Sequence, residues 1–205
     1  MKNYFSKQEI PFKGMYLAYD LKGTILRNQS KTYVNIFAYI TFKEVFNEYS
    51  IADIEVLKLG YRYISSLKLP NKLNTIFYLK ENNLIPKKVL KVYTGNVGRD
   101  LLFINYKLPY DEANFSFNRT LKISFPLNNE HQVHELIYFY ESLEEGFKVK
   151  AILYYDFYTK ILVLGNFVLD AKDRKIEGII SLRETNAFSQ KNKIMLTNNS
   201  LQFFL

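Results

Sequence analysis

The chain has 205 residues, 48% of them hydrophobic and 17% aromatic, with 17 tyrosines, 17 phenylalanines and no tryptophan. This is the balance of a folded globular protein rather than a disordered tail, and the length suffices to bury a core without covalent staples. Cysteine is absent, which excludes disulfides, thiolate nucleophiles and cysteine zinc sites, while the net charge of +8 serves either solubility or attraction for nucleic acid, an anionic surface or an acidic partner.

Period-2 alternation predicts strands at 15–20, 32–42 and 51–59, with a turn at 21–23 and a short helical turn at 46–49. A turn at 69–72 then precedes strands at 75–80, 89–94 and 100–108, with connections at 94–98 and 108–114. The clearest strand is NFSFNRTLKISF, 114–125. Its odd positions carry Phe115, Phe117, Leu121, Ile123 and Phe125, broken only by Arg119, and every even position is polar.

A helix is predicted over 129–146. Asn129 and Gln132 have capping-box spacing, Gly146 can end the helix, and Val133, Leu136, Ile137, Tyr140 and Leu143 share one helical face. Strands follow at 147–157, 160–170 and 175–184, with turns at 158–160 and 171–175. The expected fold is mainly β (α+β), an antiparallel β-sandwich or barrel-like sheets with one acidic amphipathic helix. It forms a single β-rich domain over 1–205, or two small β subdomains meeting near 108–114. Apolar runs stay well short of the roughly 20 residues of a membrane helix, so no membrane span is expected. The start MKNYFSKQEIPFKG lacks a signal peptide's apolar region, so secretion by that route is not expected.

The helical segment holds both histidines and five glutamates with no lysine or arginine, so the +8 chain is a +13 body offset by a local −5. On a helix His131 and His134 lie opposite the apolar stripe. Glu141, Glu144 and Glu145 fall in the last turns, where the dipole disfavours negative charge and calls for compensation, either by Lys148 and Lys150 just beyond Gly146 or by a basic partner. Glu141, Glu145, His131 and His134 are therefore the candidate partner-binding residues. No metal site is expected: the histidines are three apart with no glutamate between them, and there is no third histidine. No catalytic residue or cofactor is expected either. Asp100, Asp111, Glu112 and Asp156 form no evident acid/base pair, and neither a G-x-S-x-G elbow nor a phosphate loop is present. The chain is thus read as a non-enzyme.

Gly95 and Gly98 have the spacing of a backbone-clamping GxxG loop, but they join two predicted strands, which favours a hairpin. Nucleic-acid binding would instead use Lys87, Lys88, Lys91, Arg99 and Lys107 with Tyr93, Phe103 and Tyr106.

Two stretches carry a resemblance. YVNIFAYITFKEVFNEYSIADIEVLKLG, 33–60, is similar to the opening of phage tail hub and baseplate proteins, and KIEGIISLRETNAFSQKNKI, 175–194, resembles the β-hairpins that join their subunits. The resemblance implies a structural subunit made in the bacterial cytoplasm and built into a virion, with other structural proteins and copies of itself as partners. A basic nucleic-acid-binding accessory protein is the alternative.

Overall fold

Alternation of apolar and polar side chains becomes the two faces of a single curved sheet. A computed structural model describes residues 9–58, 60–95, 112–124, 130–144 and 146–188. Its strands are β1 Tyr16–Arg27, β2 Ser30–Val45, β3 Tyr49–Lys58, β4 Tyr61–Pro70, β5 Asn74–Thr75 and β6 Val89–Tyr93. They continue with β7 Glu112–Ser124, β8 Glu130–Ser142, β9 Phe147–Asp156, β10 Leu162–Ala171 and β11 Arg174–Thr185. The order across the sheet is β4-β3-β2-β1-β11-β10-β9-β8-β7-β6-β5. Two meanders are thus zipped together by antiparallel β1–β11 pairing, and among the described strands only β5–β6 is parallel.

The sheet curls into a nearly closed, barrel-like wall around one core. Leu17, Tyr19 and Leu21 of β1, Ile36, Ala38, Ile40 and Phe42 of β2, and Ala52, Ile54 and Val56 of β3 are buried at every second position. Val149, Leu153 and Tyr155 of β9 and Phe167 and Leu169 of β10 continue the same lining. Each of the leucine, isoleucine, valine and phenylalanine side chains among them contributes about 1.5–3 kcal/mol when fully buried.

Residues 71–80 cross one end of the barrel. Leu162 N–H donates to Phe77 O and Leu79 N–H to Lys160 O, both at 2.9 Å, and Tyr78 bridges Ile161. Three buried tyrosine hydroxyls fasten this end: Tyr19 donates to Leu162 O, Tyr78 to Pro70 O and Tyr155 to Ile76 O. Burial holds all three phenols above their ordinary pKa.

Gly23, Gly178 and Phe167 form one row across β1, β11 and β10. A Cβ on Gly178 would lie 2.3 Å from Phe167 Cζ, and one on Gly23 would lie 2.5 Å from Glu177 O. The glycine turn predicted at 21–23 is therefore a mid-strand close approach, with the phenylalanine ring covering the bare backbone. The actual β1–β2 turn is Asn28-Gln29, with φ of 46° and 68°, the left-handed pair that suits a two-residue hairpin.

Residues predicted as a helix form β8. Ile137, Tyr138, Phe139 and Tyr140 are consecutive strand-favouring residues, and pairing with β7 and β9 on both sides satisfies the backbone that capping would have served only locally. Gly146, with φ 69°, closes the β8–β9 turn by donating to Ser142 O at 2.9 Å. The helical turn predicted at 46–49 is the β2–β3 turn, where Phe46 N–H donates to Tyr49 O. Of the strand predicted at 75–80, only Thr75 belongs to a strand, the two-residue β5. The strand predicted at 100–108 lies outside the described residues.

Candidate functional site

On a strand, residues three apart point to opposite faces and stand about 10 Å apart. His131 and His134 therefore cannot chelate one ion together, and among the described residues no group of three His, Asp or Glu side chains is placed to hold a metal. His131 lies in the β7–β8 hairpin opposite Ile123, with a buried Nε2 that has no hydrogen-bond partner among the described residues. His134 is not exposed as helical geometry required: it faces the core and is 4% exposed. Glu141 is exposed and sits opposite Lys148 of β9, which offsets its charge within the chain. Glu145 lies outside the described residues. The structure thus scatters His131, His134 and Glu141 along β8 and brings none of the three together.

His134 is the centre of a small polar network. Its Nε2 is 2.6 Å from Lys160 Nζ and its Nδ1 is 2.9 Å from Thr120 Oγ1. Phe117 meets the ring edge-on at 5.6 Å, and Phe157 lies at 4.9 Å. Burial first, and the Lys160 ammonium second, push its pKa down to about 4. Near neutral pH the ring is uncharged. An ammonium can only donate, so it takes the Nε2 lone pair and leaves the proton on Nδ1, directed at the threonine oxygen. No lone pair is left to act as a base towards Thr120, so the triplet orders the end of the barrel.

Lys160 reaches this position because Asp156–Lys160 is a tight turn. Asp156 Oδ2 accepts from Tyr158 N–H at 3.1 Å, Thr159 N–H at 2.7 Å and the Thr159 hydroxyl at 2.8 Å, and Lys160 has a φ of 63°. The Asp156 carboxylate is thus occupied by its own turn. On the outer face Glu135 is buried yet matched, with Arg119 Nε 3.1 Å away and the Asn118 amide also donating to it.

The candidate basic surface is only partly described. Lys88 is ion-paired with Glu81 at 3.2 Å and Tyr93 is half-buried, while Lys91 is exposed. Glu112 is exposed at the start of β7. Asp100, Asp111, Arg99, Phe103, Tyr106 and Lys107, with Gly98 of the GxxG spacing, lie outside the described residues.

The most unusual surface is one that alternation did not flag. β4 is an edge of the sheet and is exposed on both faces from Tyr61 to Ser66. Tyr61 is 68% exposed, Tyr63 58% and Ile64 61%. The opposite edge, β5, is two residues long and continues into the buried crossing segment. A long, open edge carrying aromatic and branched apolar side chains is a template for another strand. The charges beside it are already matched: Arg62 Nε lies 2.7 Å from Glu55, and Lys43 lies 3.7 Å from Asp53, which also accepts from the Ser66 hydroxyl. The signal in the sequence was the β-forming run YRYIS between Gly60 and Pro70, where Tyr61, Tyr63 and Ile64 do not share one face.

No protein-family model matches the chain, and no curated protein matches it. Among solved structures, a candidate thioesterase II from Thermobifida fusca YX aligns over 85% of this chain and 80% of its own, at 6% identity and a TM-score of 0.21. That superposition is too poor to indicate a shared fold. Among the described residues no helix is long and apolar enough to cross a membrane.

Proposed function

We propose that the protein is a structural subunit of a larger protein assembly, of the phage tail or baseplate kind that 33–60 and 175–194 resemble, and that β4 is a joining edge. The observation that carries this is the exposure of Tyr61–Ser66 on both faces of an edge strand that no described strand pairs on its open side. Proteins that act alone blunt such edges with short strands, central charges or bulges. Here the middle of the strand, Tyr63-Ile64-Ser65-Ser66, is uncharged, and Arg62 is tied back to Glu55. Strand addition gains backbone hydrogen bonds along the edge and selects partners through alternate side chains. Tyrosines supply rigid contact area at small entropic cost. Nucleic-acid binding draws less support, because Lys88 is ion-paired and Tyr93 is half-buried.

The test is native size. Isolated from its source, the protein should run in a complex several times the 24.3 kDa of the chain, and Ile64→Lys should release it as a folded monomer. A native monomer would contradict the proposal.

A further inference from the structure

The backbone of β4 also points to what occupies its edge, an inference that rests on the assembly proposal above. Asn71 N–H donates to Glu48 O at 2.9 Å, one step beyond the Tyr49↔Pro70 end of the β3–β4 register. Hydrogen-bonded and non-hydrogen-bonded pairs alternate along an antiparallel ladder. Tyr61, Tyr63, Ser65, Leu67 and Leu69 therefore direct their backbone groups at β3. Arg62, Ile64, Ser66 and Lys68 direct theirs at the open side. Pro70 is next in that series and has no N–H, so it ends the usable edge.

An antiparallel newcomer must meet these outward groups with its own. If it is β4 of a second copy, even-numbered residues must face even-numbered residues. With Ile64 opposite Ile64, Arg62 meets Ser66, Tyr63 meets Ser65 and Tyr61 meets Leu67, and all of 61–67 is paired. With Ile64 opposite Ser66, Arg62 meets Lys68, a like-charge clash. With Ile64 opposite Lys68, Arg62 meets the donorless Pro70. With Ile64 opposite Arg62, only 61–65 overlaps before the turn at Gly60. One register therefore satisfies both backbone and side chains.

We propose that two copies pair β4 to β4, antiparallel, on a two-fold axis through Ile64. The sheet then runs on from one copy into the other, with the Ile64 side chains together on the outer face and Tyr61 packed against Leu67 on the inner. A closed two-fold contact of this kind uses one patch twice. Although each chain carries +8, the Glu55–Arg62 and Lys43–Asp53 pairs offset charge beside the axis.

Cysteine cross-linking tests the register, because the chain has no cysteine of its own. Residues opposed in a hydrogen-bonded pair have Cα atoms about 5.5 Å apart, within disulfide range. Purified full-length Ile64→Cys should form a covalent dimer under mild oxidation. Ser66→Cys alone should not, since its two copies would stand four residues apart, about 13 Å. Mixing Ser66→Cys with Arg62→Cys should restore the cross-link between the two variants. Circular dichroism of each variant confirms that it is folded. Equal self-cross-linking of Ser66→Cys and Ile64→Cys would overturn the register. If the recombinant chain stays monomeric and uncross-linked while the native protein runs in a complex, the second copy is excluded and another protein's strand takes its place. If the native protein is also a monomer, the assembly proposal falls with it.

Discussion

Acidification should weaken the fold through His134. Burial and the Lys160 ammonium hold its folded pKa down at about 4, whereas the unfolded chain titrates near an ordinary histidine value of about 6.5. Between these values the unfolded chain binds more protons than the folded one, so stability rises with pH. The contribution is fully present above about pH 6.5 and is lost as pH falls towards 4. From pH 7.5 to 4.5, linkage gives a loss of about 2.5 kcal/mol, a substantial share of the roughly 5–15 kcal/mol that holds a domain together. Urea unfolding of the wild type and of His134→Gln at both pH values measures it. Carboxylates titrate alike in the two chains, so the difference between their pH dependences isolates the ring. Lys160→Met should shrink that difference by removing the repulsive charge. Equal losses in wild type and His134→Gln would refute the placement of a neutral, buried His134 beside Lys160.

Gly178→Ala should destabilise by about 1–3 kcal/mol, because the new methyl meets the Phe167 ring in a packed core. Combining it with Phe167→Leu, which withdraws the ring, should cost less than the sum of the single changes in a thermal-melt double-mutant cycle. Asp156→Ala should cost about 2 kcal/mol by orphaning three turn donors, and Asp156→Asn clearly less, since its side-chain oxygen still accepts; urea unfolding checks both.

Where one face of a strand is buried and the other wet, period two was legible. The strand predicted at 114–125 is β7, and those at 147–157, 160–170 and 175–184 are β9, β10 and β11. β8 was misread because Val133, Leu136, Ile137 and Tyr140 also fit a helical stripe, and Asn129 and Gly146 fit helix ends. Local signals for a helix end and a hairpin turn share the same residues, and only the flanking strands decide between them. That error carried the candidate site with it: His134 was expected in solvent and lies against Phe117 and Phe157. Its partners Thr120 and Lys160 come from the neighbouring strand β7 and a distant turn, a pairing that no spacing encodes. β4 went unrecognised for the opposite reason: a strand exposed on both faces has no buried side to impose alternation.

Amide hydrogen exchange along β4, followed by nuclear magnetic resonance as concentration rises, tests the joining edge most directly. In the dilute monomer the amides of Tyr63, Ser65, Leu67 and Leu69 should be protected by β3, while those of Arg62, Ile64, Ser66 and Lys68 exchange fast. As larger species form, the amides of Arg62, Ile64 and Ser66 should become protected together. If these three exchange fast at every concentration while larger species accumulate, the copies join somewhere other than β4.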